Sequence, residues 1–223
     1  MSTGEALRKV AEVCEGQWGI VTTGQARRLG VSYMSLTRLV QGGMLIRLAR
    51  GVYKAAGAPR NENEDLIVAW LMAEPDRFAY ERVMERPASV VVSGESAAHL
   101  HEIGDFPAAR HEFTTPTRRQ TQRSNVRYRV RDLPEQDVTI RAGLPVTTRE
   151  RTIADLIETR QDLSLIADAL ADAARHAQID VNRLIHLLAP LAERNGHHKG
   201  DGVEFLKTLM KIAGMEIKPL TRR

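Results

Sequence analysis

Apolar positions near the start of the chain recur first at helical and then at strand spacing. Leu7, Val10, Ala11 and Cys14 lie three and four apart or adjacent, which predicts a helix over 3–15. Ile20 and Val21 read as extended. Thr22 stands three before Gln25, a capping-box spacing that opens a short helix with Ala26 and Leu29 inward and Gly30 at its end. Ser32 is the expected cap of the next helix, over 33–41, with Leu36, Leu39 and Val40 on its core face. Gly42 and Gly43 stop it. "MLIRLARGVYKA" then reads as a hairpin: a strand over 45–48, a turn through Ala49-Arg50-Gly51 and a strand over 52–54. Three helices followed by such a ribbon is the outline of a winged helix-turn-helix, expected over residues 1–57.

The segment 58–62, within the Gly-, Pro- and Asn-containing stretch "AGAPRNEN", is the expected linker. Beyond it, 63–223 is expected to form a second domain. Helices are predicted over 64–73 and 77–84. "ASVVVSG" reads as a buried strand and "ESAAHLHEIG" as a short helix. "RHEFTTP", "NVRYRVRD" and "DVTIRAG" alternate like strands. "LPVTTRERTIADLIE" passes from strand to helix, with Thr147 three before Glu150 as another capping box. Strands are thus expected within 88–148, and helices over 149–213 with breaks near Gln161, Gln178 and 195–202. The fold class is α+β, with an N-terminal winged helix-turn-helix followed by an α/β domain ending in helices.

Composition narrows the class. Hydrophobic residues make up 43% of 223, enough for cores, but only 4% are aromatic, so those cores are aliphatic. No apolar run is long enough to span a bilayer, and the N-terminus lacks a signal-like apolar core, so a cytoplasmic location is expected. The single Cys14 has no disulfide partner in the chain and reads as a buried thiol.

The net charge is only +4, but its distribution is uneven. Between Gly16 and Asn61 there are seven basic residues and no acid. From Glu62 to Phe106 ten acids face three arginines, and from Pro107 to Arg131 seven arginines face one acid. An acid-free stretch of that length points to an anionic partner such as nucleic acid. With Leu36, Leu39 and Val40 turned inward, Met34, Thr37, Arg38 and Gln41 point out, Ser35 lies on the flank, and Tyr33 is nearer the core. Arg38 suits a guanine and Gln41 an adenine. Ser32, Ser35, Thr37 and Tyr33 suit phosphates or base edges. Arg47, Arg50 and Lys54 fall on or beside the hairpin, and Arg27 and Arg28 on the preceding helix. Together these eleven are the expected duplex-DNA contacts. Arg127, Arg129 and Arg131 share one strand face. With Arg118, Arg119 and Arg123 they are candidates for a secondary DNA or partner contact, and a plain solvated face is the alternative.

No enzyme constellation emerges. Ser93-Gly94-Glu95-Ser96 lacks the nucleophile-elbow pattern and reads as a helix cap. His99 and His101 diverge on a helix, and His197-His198 has no partner at metal-ligand spacing. There is no phosphate-binding loop. The E-x-K at Glu216, with Asp201 before it, resembles a nuclease metal site but stands nearly alone. No catalytic activity, metal or cofactor is expected.

"RLARGVY", "VVSGESAAHLHEIGDF" and "GLPVTTRERTIADL" together resemble the AbiEi family of antitoxins, in particular its actinobacterial-type members, over about 17–174. The resemblance implies an antitoxin encoded beside a nucleotidyltransferase-like toxin, whose action it opposes. It also implies repression of the protein's own promoter, through binding of the N-terminal winged helix to inverted or direct repeats. By position, Ser35, Thr37, Arg38, Arg47 and Arg50 are the implied DNA contacts. A monomer, or a weak dimer pairing on DNA, would suit such repeats. The alternative is a stand-alone transcriptional regulator whose second domain senses a ligand or binds a partner.

Overall fold

The computed structural model describes residues 1–107, 109–176 and 179–215. The chain forms two compact units, Met1–Val90 and Val91–Arg223.

The first unit opens with α1 (Thr3–Glu15), whose Ser2 cap accepts the Glu5 N–H at 3.1 Å. Ala6, Val10 and Cys14, four apart on one stripe, are buried. β1 (Ile20–Thr22) leads into α2 (Thr23–Arg28) through the expected capping box. Thr22 Oγ1 accepts the Gln25 N–H at 3.1 Å, and Gln25 Oε1 accepts the Thr22 N–H at 2.9 Å. Gly30, at φ +76°, turns the chain into α3 (Tyr33–Gln41). β2 (Leu45–Ala49) and β3 (Val52–Ala55) form the hairpin, joined by Arg50 and Gly51. β3 also pairs antiparallel with β1, so the sheet has three strands in the order β1-β3-β2. Leu36, Leu39, Val21, Leu45 and Tyr53 close the core over α1.

The segment 58–62, expected as a linker, lies inside this unit. The reason is α4 (Glu64–Ala73): Leu66 to Leu71 are all buried, an apolar girdle that no single face can satisfy. α4 contacts β1, and Trp70 meets Trp18 edge-on at 6.1 Å. α5 (Ala79–Met84) follows. Its Arg82 is fully buried, stacks 3.4 Å over the Trp70 ring and pairs with Glu74 at 2.9 Å.

The second unit holds a mixed sheet in the order β6-β5-β4-β8-β7. Its strands are β4 (Val91–Val92), β5 (His111–Thr115), β6 (Val126–Val130), β7 (Val138–Arg141) and β8 (Leu144–Thr147). β4 runs parallel to β8 and antiparallel to β5, and β5 runs parallel to β6. β7 and β8 are a tight hairpin whose turn residues Ala142 and Gly143 both have positive φ. α6 (Gly94–His101) crosses between β4 and β5. The chain then becomes helical: α7 (Arg149–Glu158), α8 (Leu163–His176), α9 (Val181–Leu188) and α10 (Gly202–Ile212). Ile103, Ile153, Leu156, Ile166, Leu188 and Phe205 lie at the centre of the helical core.

Two expected caps moved. The α7 cap is Thr148, which accepts the Arg151 N–H at 3.3 Å, because the Thr147 hydroxyl is buried against Thr152 at 2.7 Å. Ser93 precedes α6 without capping it through its side chain. The Glu112 carboxylate accepts the Glu95 N–H at 3.1 Å instead, while Ser93 Oγ is bonded by Thr114 at 2.9 Å. The expected break near Gln178 and the E-x-K at Glu216 lie outside the described residues.

Candidate nucleic-acid interface

The α2–turn–α3 pair and the hairpin carry most of the sequence candidates. Ser32 caps α3: its hydroxyl accepts the Ser35 N–H at 3.1 Å and lies 3.0 Å from the Ser35 hydroxyl. Ser35, expected on the flank, is only 8% exposed. It sits beside Leu36 and Leu39 on the inward stripe and has its hydroxyl tied to Ser32, so it is not an outward contact. Tyr33, expected nearer the core, is instead 60% exposed, and Met34 beside it 59%. The outward face of α3 is therefore Tyr33, Met34, Arg38 and Gln41, with half-buried Thr37 at its edge. Thr37 donates its hydroxyl to the Tyr33 carbonyl at 3.1 Å. The face has no acid, and among the described residues no carboxylate lies within ion-pair distance of Arg38.

The hairpin is anchored to α2. The Thr23 N–H donates to the Gly51 carbonyl at 2.8 Å, and a Cβ on Gly51 would come within 3.3 Å of the Thr23 hydroxyl. Gly51 also has φ +77°, so glycine meets both the conformation and the close approach. The register jumps between Arg47 and Ala49, a bulge that twists the ribbon. Arg47 and Arg50 are exposed. Arg47 is held only by a long 3.4 Å bond from Nε to the Ala49 carbonyl, and among the described residues neither arginine faces a carboxylate at ion-pair distance.

The other three cations of the candidate set are neutralised from within. Lys54 is buried and ion-paired with Glu64, so it is no surface contact. Arg28 makes a two-pronged bond to Glu81 at 2.7 and 2.8 Å, donates to the Asp76 carbonyl at 2.8 Å and lies 4.5 Å over the Phe78 ring. That guanidinium hydrogen bond is the main cause that pulls the Glu81 carboxyl down to about 2. Arg27 pairs with Asp76 at 2.8 Å, but with both side chains more than half exposed. Such a pair is worth little and opens easily. The acids responsible were visible in the acid-rich run after Glu62, but nothing local assigned them to Lys54, Arg27 and Arg28.

The second basic run is also partly spent. Arg129 meets Glu158 at 2.8 Å, Arg131 meets Asp155 at 2.8 Å and also bonds Glu158, and Arg151 joins the same carboxylates from α7. Arg127 meets Glu112 at 3.4 Å. These contacts hold edge strand β6 onto α7 and the α6 entrance. They answer the strand-face question for Arg129 and Arg131, which are only about a quarter exposed. Arg118 is exposed and Arg123 half-buried in the loop between β5 and β6, where Arg119 bonds the Thr115 hydroxyl at 3.4 Å.

Residues 8–54 match the family model described as a transcriptional regulator, AbiEi antitoxin. Over this segment the chain is similar to an AbiEi-type regulator domain. The matched segment contains α2, α3 and nearly all of the hairpin, and so Arg38, Arg47 and Arg50. No curated protein matches the chain significantly. Among solved structures, the Rv2827c protein of Mycobacterium tuberculosis is similar in fold, with a TM-score of 0.54 over 95% of this chain and 78% of that one, at 17% identity. That identity carries a likeness of fold alone. The AbiEi-type match supports a role as regulator or antitoxin.

Among the described residues no helix is long and apolar enough to cross a membrane, and no group of three His, Cys, Asp or Glu is placed to hold a metal ion. His101, on buried α6, has its Nε2 2.7 Å from the Thr147 carbonyl, while Nδ1 is buried with no hydrogen-bond partner. Burial pushes this imidazole down to about 4. It is a neutral core histidine at pH 7 rather than an acid–base group.

Proposed function

We propose that the first unit is a winged helix-turn-helix that binds duplex DNA, with α3 in the major groove and the hairpin as the wing. Arg38 and Gln41 read base edges, Arg47 and Arg50 grip the backbone, and Tyr33 and Thr37 border them. The protein is then an antitoxin of the AbiEi type that represses its own promoter by occupying repeats, and opposes a neighbouring nucleotidyltransferase-like toxin. It acts in the cytoplasm by occupancy, without catalysis or cofactor, as a monomer or as a weak dimer formed on paired repeats.

The observation that carries this reading is the outward face of α3: acid-free, with an unpaired arginine, inside the segment that matches an AbiEi regulator. A solvated helix face normally mixes both charge signs. This one instead exposes Tyr33 and Met34 beside Arg38.

The test is a mobility shift with the DNA upstream of the protein's own gene against scrambled DNA, at two salt concentrations. Selective binding that survives the higher salt supports the reading, and rescue from the neighbouring toxin then tests the antitoxin half. Weak binding that is equal on both DNAs and vanishes with salt overturns it.

A further inference from the structure

The second unit contains a cavity that DNA binding does not use. It lies among α8, α9 and α10, with a volume of about 100 Å³. Leu170 of α8, Leu184 of α9 and Leu206 and Met210 of α10 form its walls, and Met215 closes one side. Leu170, Leu184 and Leu206 are at most 3% exposed, so these walls belong to the core itself. Of the described residues lining the cavity, Lys207 alone carries a charge. Walls of this kind hold no water, and an empty space between them forfeits dispersion contacts on every side. The opening is somewhat smaller than the roughly 150 Å³ of an apolar cavity known to admit benzene.

Lys207 sits on α10 one residue after the wall residue Leu206, and pairs with Glu204. Both partners are about half exposed, at 41% and 54%, so the pair is held weakly. The ammonium is free to exchange Glu204 for an incoming anion without unpacking the core.

We infer that this cavity binds a small amphiphilic monocarboxylate, with a short aliphatic or single-ring tail among the leucines and the carboxylate on Lys207. The walls select by shape and apolarity, and the single rim charge selects the sign of the head group. The inference is independent of DNA binding and stands or falls without it.

Hexanoate is a suitable probe, with hexan-1-ol and hexylammonium as neutral and charge-reversed analogues. The seven methionines of the full chain, labelled at the ε-methyl carbon, report its position by NMR. Met210 and Met215 line the cavity, whereas Met34, Met44 and Met84 are exposed elsewhere. Hexanoate is expected to shift Met210 and Met215 saturably while the exposed methionines stay still. Lys207→Met should weaken hexanoate about fivefold, the upper range for one exposed ion pair, and leave hexan-1-ol unchanged. Ala174→Trp, which fills the cavity from α8, should abolish both. Shifts that appear together at Met34 and Met210, or no saturable shift at Met210, overturn the site. Hexylammonium binding as tightly as hexanoate overturns the carboxylate assignment.

Discussion

Under the proposed function, pairing inside the first unit predicts which cations would meet duplex DNA. Binding constants fall with salt at a log–log slope of about 0.9 for each phosphate charge a cation neutralises. Counted along the sequence, the six cations of α2, α3 and the hairpin would together give a slope of about 5 per bound copy. Arg28, held by Glu81, the Asp76 carbonyl and the Phe78 ring, and Lys54, buried against Glu64, are withdrawn from that count. Arg27 is only loosely held. Arg38, Arg47 and Arg50 remain, and together supply at most about 2.7 units. The decisive comparison is between single variants, because any phosphate contact from the second unit enters all of them equally. Arg50→Ala should weaken binding to every sequence and flatten the slope by about 0.9. Arg28→Ala should leave the slope unchanged and instead loosen the fit of α5 on α2, seen as a lower melting temperature. Fluorescence anisotropy titrations of a labelled duplex at four or more salt concentrations give both slopes. If Arg28→Ala flattens the slope as much as Arg50→Ala does, the Glu81 pair opens on binding and the partition argued here is wrong.

Three further outcomes follow from particular side chains. Arg38→Ala should cost about 1–3 kcal/mol on the selected operator and relax one base preference; equal losses on operator and random DNA would remove Arg38 from base reading. His101 is neutral in the fold down to about pH 4, whereas the unfolded chain takes up that proton near 6.5, so stability is complete above 6.5 and falls by about 3 kcal/mol as pH drops toward 4. His101→Gln, which keeps a donor for the Thr147 carbonyl, should lose that component in hydrogen exchange of the α6 and α7 amides; an identical pH dependence in parent and variant would refute it. Arg82→Met leaves Glu74 without its buried guanidinium partner and removes the cation from Trp70, and should destabilise the first unit by about 3–5 kcal/mol, read from tryptophan fluorescence during urea unfolding.

What the sequence made legible was local. The Thr22–Gln25 box, the Ser32 cap, the glycine stops and the Arg50-Gly51 turn each involve residues within four of one another, and the backbone honours them. The outward set on α3 needed only helical spacing, though the helix is rotated slightly from the expected view: Ser35 turns in with Leu36 and Leu39, and Tyr33 turns out. What stayed hidden was long-range. Arg28 and Glu81 are 53 residues apart, and Gln17 meets the Ala79 N–H across 62. No spacing rule links such pairs. The linker reading of 58–62 followed the Gly, Pro and Asn content of the stretch "AGAPRNEN", while the all-apolar girdle of α4 beyond it was the stronger signal, since such a helix must be covered on every side.

The same long-range pairs explain how a chain with a net charge of only +4 keeps a concentrated positive face. The acid-rich run after Glu62 folds back on the basic run before it, but not evenly. Glu64, Asp76 and Glu81 take Lys54 of β3 and the two arginines of α2, and among the described residues none takes Arg38 of α3 or Arg47 and Arg50 of the hairpin. In the proposed DNA-binding reading, neutralising cations behind the outward face lowers the general attraction to polyanions and leaves the field strongest where side chains would reach base edges. Sequence selectivity depends on that ratio of base contacts to diffuse charge. A variant that released Arg28 and Arg27 from their acids, such as Asp76→Asn with Glu81→Gln, is therefore expected to bind random DNA more tightly and to discriminate less. Unchanged discrimination in that double variant would mean that the acids serve packing alone.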